Sequence, residues 1–392
     1  MNRFCSIFGQ LLNLFSRTEF DRTVTATHAD RHSRGFACWD QFVAMLFCQL
    51  GRAQSLREIC HGLASCEGKL LHLGVTKGAP SKSTLAYANE HRPWQLYQQV
   101  FFGLLARCQQ LPGAKKKFRF RNKLMSLDSS VIDLSLSLFD WAKFRRTKGA
   151  IKLHLLLDHD GYLPAFAVVT DGKTADVRVA RQLQFQPGTI VVVDRGYIDL
   201  RWFAQITQAG AFFVTRPKSN MAIRVLEERP LVDVRTLVIA DEIIELTSEQ
   251  AKREYPERLR RVTVVRQDTL TQMEILTNNF ELGATTIGRI YKDRWQVELF
   301  FKAIKQNLKI KTFVGTSANA VKVQIWTALI AMLLLKYLQL RATFTWSLSN
   351  LVALLRMNLF VHRDLFVWIN RPFGVQPDLP QTSPQLSLAF AA

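Results

Sequence analysis

Four side chains that could bind phosphate or metal recur at helical spacing in the segment YKDRWQVELFFKAIKQNLKIK, residues 291–311. The segment is rich in helix formers and has neither Pro nor Gly, which predicts one continuous helix. At about 100° per residue, four side chains fall within an arc of about 60° on one face: Tyr291, Arg294, Glu298 and Lys305. A carboxylate between two cations suits phosphodiester chemistry, but it equally fits a solvated ladder of ion pairs.

Two further carboxylates lie upstream, each at the end of an apolar, strand-like run. Asp128 lies in LMSLDSSVIDL, and Asp194 follows Thr-Ile-Val-Val-Val at 189–193. Such runs without polar alternation predict strands buried on both faces, and open α/β sheets place ligands at the carboxyl ends of their strands. Together with Glu298, these acids supply hard oxygen ligands for two Mg²⁺ or Mn²⁺ ions, which stabilise the attacking and leaving oxygens in phosphodiester cleavage. Three such carboxylates repel one another unless cations are present.

These residues resemble the motifs of DDE transposases of the "insertion sequence 4" family. The family hallmark of Tyr, two residues, Arg, three residues, Glu, six residues and Lys is matched in full at 291–305. DRGY at 194–197 resembles the block of the second Asp, and SLDSS around Asp128 resembles the first. The stretch 36–63 is similar to the small helical N-terminal domain of the family. The resemblance covers most of residues 1–345.

The resemblance implies cut-and-paste transposition at terminal inverted repeats. It makes Asp128, Asp194 and Glu298 the catalytic ligands of two Mg²⁺ ions, with Mn²⁺ able to substitute. It also implies nicking to a 3′-OH, a hairpin intermediate, joining to target DNA, and a homodimer that handles two ends of double-stranded DNA together. From the resemblance and the basic segments 111–123 and 141–152, we expect DNA contacts from Tyr291, Arg294, Lys305, Arg195, Lys302, Lys115, Lys116, Lys117, Arg119, Arg145 and Arg146.

The order of predicted elements indicates an α/β fold, with a ribonuclease-H-like catalytic core, a β-rich insertion and an all-α N-terminal DNA-binding domain. The core elements are the Asp128 strand, a hairpin at 151–170, a helix at 175–184, the Asp194 strand, a helix at 199–209 and a strand at 211–217. We divide the chain into a helical DNA-binding domain (1–110), the first part of the core (111–217), the insertion (218–280), the second part with the Glu helix (281–345), and a helical C-terminal region with a flexible tail (346–392).

Several residues beside these motifs have more ordinary interpretations. Asp158 and Asp160 are predicted to be turn residues of the hairpin, and Asp176 is predicted to open a helix. The arginines of the insertion, Arg260 among them, suit a clamp on the DNA backbone but are also common on exposed strands. Some relatives place an aromatic wedge in this insertion. Residues 203–290 contain no Trp, and Tyr255 or Phe280 is a weak substitute.

The composition favours a polyanionic partner. A net charge of +20 and a pI near 10.0 indicate nucleic acid by default, and no basic amphipathic terminal helix supports a membrane surface instead. The N-terminus lacks a secretory pattern, and the six Cys form no CxxC pair, so we expect a bacterial cytoplasmic protein associated with the nucleoid. Residues 325–335 are apolar but shorter than the roughly 20 residues needed to span a bilayer, which predicts a buried core helix.

Two other functions use the same features. A simple metal-dependent nuclease needs the three acids but joins no strands, and an inactive or domesticated sequence-specific DNA-binding protein needs only the basic surface. Strand joining separates the first from a transposase, and metal-dependent cleavage separates the second. The apolar segments 351–360 and 366–369 fit a partner surface or a cap on the catalytic core equally well.

Overall fold

Helices occupy the N-terminal part of the chain, and strands and helices alternate after it. The computed structural model describes residues 5–31, 33, 35–66, 68–111, 117–135, 137–145, 148–231, 237–266, 269–308, 310 and 312–374. Most helices begin at a Ser or Asp whose side chain accepts a backbone N–H of the first turn, as Ser55 and Ser81 do. The N-terminal helices are α1 Ile7–Leu12, α2 Arg17–Thr27, α3 Cys38–Gly51, α4 Leu56–Ala64, α5 Lys82–His91 and α6 Gln95–Gln109.

Ten strands in the described residues form one large mixed sheet. The first six are β1 Leu124–Leu134, β2 Lys143–Arg145, β3 Lys148–Asp158, β4 Leu163–Asp171, β5 Ile190–Val192 and β6 Phe212–Thr215. The remaining four are β7 Ile223–Glu228, β8 Val238–Leu246, β9 Leu259–Val265 and β10 Gln272–Thr277. Their spatial order is β2-β3-β1-β5-β6-β10-β9-β8-β7, with β4 paired to β3. The molecule is therefore a mixed α/β protein.

The type of strand pairing changes twice across the sheet, from antiparallel to parallel and back to antiparallel. β1, β3 and β4 are antiparallel neighbours, which confirms the predicted hairpin. β1, β5 and β6 run parallel to one another. The strands of the predicted insertion then continue the same sheet, because β10 pairs antiparallel with β6 at Leu276↔Thr215. The insertion thus extends the central sheet as an antiparallel wing.

Helices cover both faces of the sheet. One face packs against α7 Asp176–Ala180 and α8 Leu200–Gln208, where Trp202 and Phe203 are buried. The other face packs against α10 Ala284–Asp293, α11 Trp295–Asn307 and α12 Ala318–Arg341. The remaining helices are α9 Glu249–Glu254, α13 Leu348–Asn358 and α14 Leu365–Asn370.

The long helix α12 joins the N-terminal helices to the rest of the protein. It contains the predicted buried run 325–335, and one hydrophobic cluster includes it together with α3 and α6. The Trp326 ring stacks on Trp94 with centroids 6.3 Å apart. By length and composition α12 is able to cross a membrane, but 83% of its most apolar window is buried inside the protein. It is packed here as the central helix of a shared core.

Candidate active site

The pairing among three neighbouring parallel strands stops just before a row of charged side chains. The last paired residues are Ser126↔Val192 between β1 and β5, and Val192↔Val214 between β5 and β6. Two residues further along each strand lie Asp128, Asp194 and Arg216. Because side chains alternate along a strand, the three point to the same face of the sheet, the face covered by α10 and α11.

Asp128 does not end its strand, contrary to the sequence prediction. β1 continues to Leu134, because its antiparallel pairing with β3 extends beyond the parallel pairing with β5. Asp128 Oδ1 accepts the Ser129 backbone N–H at 2.8 Å. Burial raises the pKa of Asp128 to about 7, and the charges of Asp194 and Glu298 add to this rise, whereas Arg294 opposes it. The three predicted acids therefore lie close enough to interact electrostatically.

The predicted continuous helix over 291–311 is interrupted at Arg294. α10 ends at Asp293 and α11 begins at Trp295, with i→i+3 hydrogen bonds from Arg294 N to Tyr291 O and from Val297 N to Arg294 O. At this junction the Arg294 guanidinium lies between two of the acids. Nη2 is 2.5 Å from Glu298 Oε1, and Nη1 is 3.6 Å from Asp128 Oδ2. Arg294 therefore holds part of the cluster together.

Tyr291 lies in the last turn of α10, beside these charges. Its ring centroid is 5.8 Å from the Arg294 guanidinium carbon. Burial raises the pKa of the Tyr291 phenol, while the nearby charges of Arg294 and Arg216 lower it and that of Asp194 raises it further. The Nε of Arg294 is buried and has no hydrogen-bond acceptor in the described part of the chain. Arg216 is not among the predicted site residues, because its one signal in the sequence is its place after the apolar run at 211–215.

The helix is interrupted at Arg294 because the preceding residue, Asp293, is held by tertiary hydrogen bonds. Asp293 is nearly fully buried. Asp293 Oδ2 accepts from His159 Nδ1 at 2.7 Å and from the Tyr162 hydroxyl at 3.3 Å, and Oδ1 accepts from Lys117. Although burial alone raises the pKa of Asp293, the hydrogen bonds from His159 and Lys117 outweigh it and hold this pKa below its ordinary value. His159 Nε2 lies 2.7 Å from Ser126 Oγ on β1. These tertiary bonds fix Asp293 where a straight helix would carry it elsewhere.

A second polar cluster lies on the opposite face of the sheet. Asp176 Oδ1 accepts from the Ser129 hydroxyl at 2.7 Å and from Lys152 at 3.2 Å, and His154 Nδ1 is 3.5 Å away. Asp176 opens α7 as predicted, but its side chain does not cap the helix: the N-cap residue is Ala175, and the Asp176 carboxylate bonds to Ser129 on β1 and Lys152 on β3. Burial lowers the pKa of His154 to about 4, so that it is neutral at pH 7. Asp158 and Asp160 do form the hairpin turn, since Asp158 accepts the Asp160 N–H.

Some of the predicted DNA-contacting residues are exposed, some are bonded within the protein, and some lie outside the described residues. Lys305 Nζ donates to the Val131 carbonyl on β1 at 3.0 Å, and Lys302 is exposed on α11. Arg195 is exposed in the short turn Arg195–Tyr197, and Arg119 is exposed before β1. Lys117 is half exposed and paired with Asp293. Arg145 lies in β2, and three residues lie outside the described ones: Lys115, Lys116 and Arg146.

Two interpretations of the insertion require correction. Arg260 is buried and bonded to both carboxylate oxygens of Asp241 at 2.8 Å, so it stabilises the wing and cannot clamp DNA. Tyr255 is buried against Phe213 and cannot act as a wedge. The large exposed aromatic beside the acids is Trp295, at the start of α11, with 54% of its surface accessible.

The donor set fits divalent cations in its chemistry. Asp128, Asp194 and Glu298 offer hard carboxylate oxygens on a rigid sheet and a helix, and their mutual repulsion is relieved by positive charge. In the described residues no group of three His, Cys, Asp or Glu side chains stands at metal-ligand spacing. The Arg294 guanidinium compensates part of the charge of Asp128 and Glu298.

Comparison with known proteins finds two family models that match this chain. The family model described as "Transposase DDE domain" matches residues 121–334, a range that contains Asp128, Asp194 and Glu298. A second model, described as a domain of unknown function (DUF4372), matches residues 5–76. Among solved structures, the piggyBac transposase synaptic complex with hairpin DNA aligns over 92% of this chain and 81% of that chain, with a TM-score of 0.43 and 10% identity. At that TM-score the likeness supports no argument.

Sequence relatives agree with the first family model. The protein named as transposase y4zB in Sinorhizobium fredii is 35% identical over 339 residues, which cover 85% of this chain and 93% of that protein. A protein named as a transposase for insertion sequence element IS5377 in Geobacillus stearothermophilus is 27% identical, over 65% of this chain and 67% of that protein. On these matches, the chain belongs to the DDE transposases of insertion sequences, enzymes that cleave DNA and transfer its strands.

Proposed function

We propose that this transposase moves an insertion sequence by cut-and-paste transposition, with Asp128, Asp194 and Glu298 as the ligands of two Mg²⁺ ions. Mn²⁺ is expected to substitute. The observation that carries the proposal is the shared register of Asp128 and Asp194 on β1 and β5, with Glu298 placed over them by α11. Bound divalent cations would activate water and stabilise the oxygen that leaves the scissile phosphate.

We propose that side chains of the protein, rather than the metal ions, position the DNA. In the proposal Arg294 leaves Glu298 and Asp128 when cations bind, and its guanidinium then holds a phosphate at the scissile bond. Its buried Nε, which lacks an acceptor in the described residues, supports this role. In the proposal, Arg216, Tyr291 and Lys305 contact neighbouring phosphates. Trp295, which is exposed at the start of α11, is suited to stack on an unpaired base.

The arrangement of the core supports a ribonuclease-H-like assignment. Three antiparallel strands, β4, β3 and β1, are followed by α7 and by two strands, β5 and β6, that run parallel to β1. We assign the match at Tyr291, Arg294, Glu298 and Lys305 to the Tyr-Arg-Glu-Lys subgroup of the "insertion sequence 4" family. The first carboxylate then lies on the central strand and the second on its parallel neighbour.

We further propose that two copies of the chain bind the two ends of the element, since both ends must be cut and joined together. The N-terminal helices contribute DNA contacts, and exposed Tyr87 on α5 is a candidate. The partner is double-stranded DNA, which places the protein in the bacterial cytoplasm at the nucleoid. The net charge of +20 supports a polyanionic partner.

The test uses the purified chain, Mg²⁺ and a duplex that carries the inverted repeats flanking the gene. Wild-type protein is expected to nick the duplex and to join the 3′-OH to a second DNA. Glu298→Gln is expected to bind the ends but not to nick them, because one metal ligand is lost. Glu257→Gln, an exposed site between α9 and β9, is the matched control and should nick normally.

The outcomes separate the possible functions. Nicking without joining would identify a simple nuclease. Binding without divalent-dependent cleavage would identify an inactive DNA-binding protein. Nicking that persists in Glu298→Gln would remove Glu298 from the mechanism.

A further inference from the structure

A continuous chain of hydrogen bonds links the strand of Asp128 to the helix junction of Arg294. It runs from Ser126 Oγ to His159 Nε2, at 2.7 Å, and from His159 Nδ1 to Asp293 Oδ2, also at 2.7 Å. Ser126 lies two residues before Asp128 on the same face of β1, and Asp293 lies directly before Arg294. His159 is thus the connection between the two halves of the site.

The Asp293 carboxylate, at the end of this series of hydrogen bonds, determines where the adjacent proton lies. Asp293 is ionised at neutral pH and only accepts, so His159 Nδ1 carries the proton between them. His159 Nε2 lies 2.7 Å from the Ser126 hydroxyl oxygen, at hydrogen-bond distance. The backbone holds the ring as well, because His159 N donates to the Leu124 carbonyl at 3.0 Å. Ser126, His159 and Asp293 each have a hydrogen-bond partner, so they form a buried network with a well-defined geometry.

The order Ser, His, Asp is also that of a hydrolase triad, but this series of hydrogen-bonded side chains cannot act as one. Ser126 has no exposed surface and lies in the centre of the sheet. His159 and Asp293 are buried as well, so no substrate carbonyl can approach the hydroxyl. The chain must therefore act through the groups it holds rather than on a substrate.

We propose that His159 is a positioning residue that holds the Asp293–Arg294 junction against β1 and so sets where Arg294 and Glu298 stand relative to Asp128. The inference rests on the proposed function for its link to catalysis. The Asp293 carboxylate is nearly fully buried, and its bonds come from side chains remote in sequence. Removing the His159 donor leaves the Asp293 carboxylate with its bonds to Lys117 and Tyr162 but breaks its link to Ser126 on β1, so the junction is no longer held against that strand.

The experiment compares three variants at a temperature where all are folded. His159→Leu removes the donor to Asp293. His159→Asn keeps a donor near the position of Nδ1. Ile206→Ala, in α8 on the other face of the sheet, is a control that costs core packing without touching the junction. Two readouts are used: the rate of nicking at saturating DNA, and the ¹⁹F NMR signal of 5-fluorotryptophan at Trp295, assigned with Trp295→Phe.

The positioning role predicts a specific pattern. His159→Leu lowers the nicking rate by about 10²-fold and shifts or broadens the Trp295 signal, since small misplacements of positioned groups are costly. His159→Asn restores the signal and returns the rate to within about tenfold of wild type. Ile206→Ala leaves both unchanged even though it lowers Tm.

Equal behaviour of His159→Leu and Ile206→Ala in both readouts would overturn the proposal. Should His159→Leu fail to fold, Ser126→Ala is used, which breaks the chain at the strand end. A Trp295 signal in Ser126→Ala that is identical to wild type would then overturn it. If the wild-type chain does not nick DNA, the proposed function fails, but the NMR comparison still decides the role of His159.

Discussion

Asp128 and Asp194 lie at equivalent positions on two adjacent parallel strands, each two residues beyond the last paired residues Ser126↔Val192. This register makes the two carboxylates neighbours on one face of the sheet without any contact between their local sequences. Burial raises the pKa of Asp128, and the charges of Asp194 and Glu298 add to the rise, while the Ser129 backbone N–H and the Arg294 charge oppose it.

Asp128→Asn is expected to stabilise the fold at high pH. The folded pKa of about 7 lies above the ordinary value, so the folded state holds a proton that the unfolded state loses from about pH 4 upward. Wild-type stability should therefore fall as the pH rises to 7, by about 4 kcal/mol in all. The Asn variant escapes this loss. Urea unfolding at pH 5 and pH 8 measures the difference.

Asp133→Asn provides the matched control, because Asp133 is exposed on the same strand. It should change stability little at either pH. An Asp128→Asn variant that gains no more at pH 8 than at pH 5 would show that Asp128 is ionised at little cost in the fold.

Arg294→Met is expected to make the protein more dependent on divalent cations. The guanidinium now compensates Asp128 and Glu298, and its loss should lower the free energy of unfolding by about 1–3 kcal/mol without metal. Mg²⁺ should then raise Tm more in the variant than in wild type, because it no longer competes with a fixed cation. Thermal unfolding with and without Mg²⁺ measures both effects.

The control for that experiment is Arg289→Met, an exposed arginine on α10. Its response to Mg²⁺ should match wild type. If Mg²⁺ raises the Tm of Arg294→Met and wild type equally, the guanidinium and the cation do not share a site.

Much of this geometry was predictable where the signal is local. The apolar run before Asp194 specified a strand buried on both faces, and β5 and Val193 are fully buried as expected. The HDG turn likewise specified the hairpin of β3 and β4. Such features depend on residues close in sequence, and a single chain is enough to recognise them.

Other features depend on tertiary contacts and were not predictable. The interruption at Arg294 follows from bonds to Asp293 that His159 makes from 134 residues away. The helix propensity of residues 291–311 gives no indication of these bonds. Only the register of β5 with β6 brings Arg216 beside Asp194, and the apolar run before Arg216 gives no indication of this. The side-chain bonds of Asp176 were not predictable either, because Ser129 and Lys152 lie 47 and 24 residues away in the chain.

Arg216→Gln is expected to weaken binding to DNA ends in a salt-dependent manner. Arg216 belongs to the row of Asp128 and Asp194 and lies close enough to Tyr291 to affect its pKa. Loss of one phosphate contact should reduce the slope of log affinity against log salt by about 1. Arg201→Gln, exposed on α8 on the other face of the sheet, should leave the slope unchanged. Equal slopes for the two variants would place Arg216 outside the DNA path.

The N-terminal helices are expected not to fold alone, because their core is shared with α12. Trp326 stacks on Trp94 and lies edge-on to Phe101 at 5.3 Å, so it completes the packing of α6. A fragment of residues 1–110 should therefore show no cooperative thermal transition by circular dichroism. In the full chain, Trp326→Ala should cost about 3–5 kcal/mol. A cooperative transition with native helix content in the fragment would show that residues 1–110 form an independent domain.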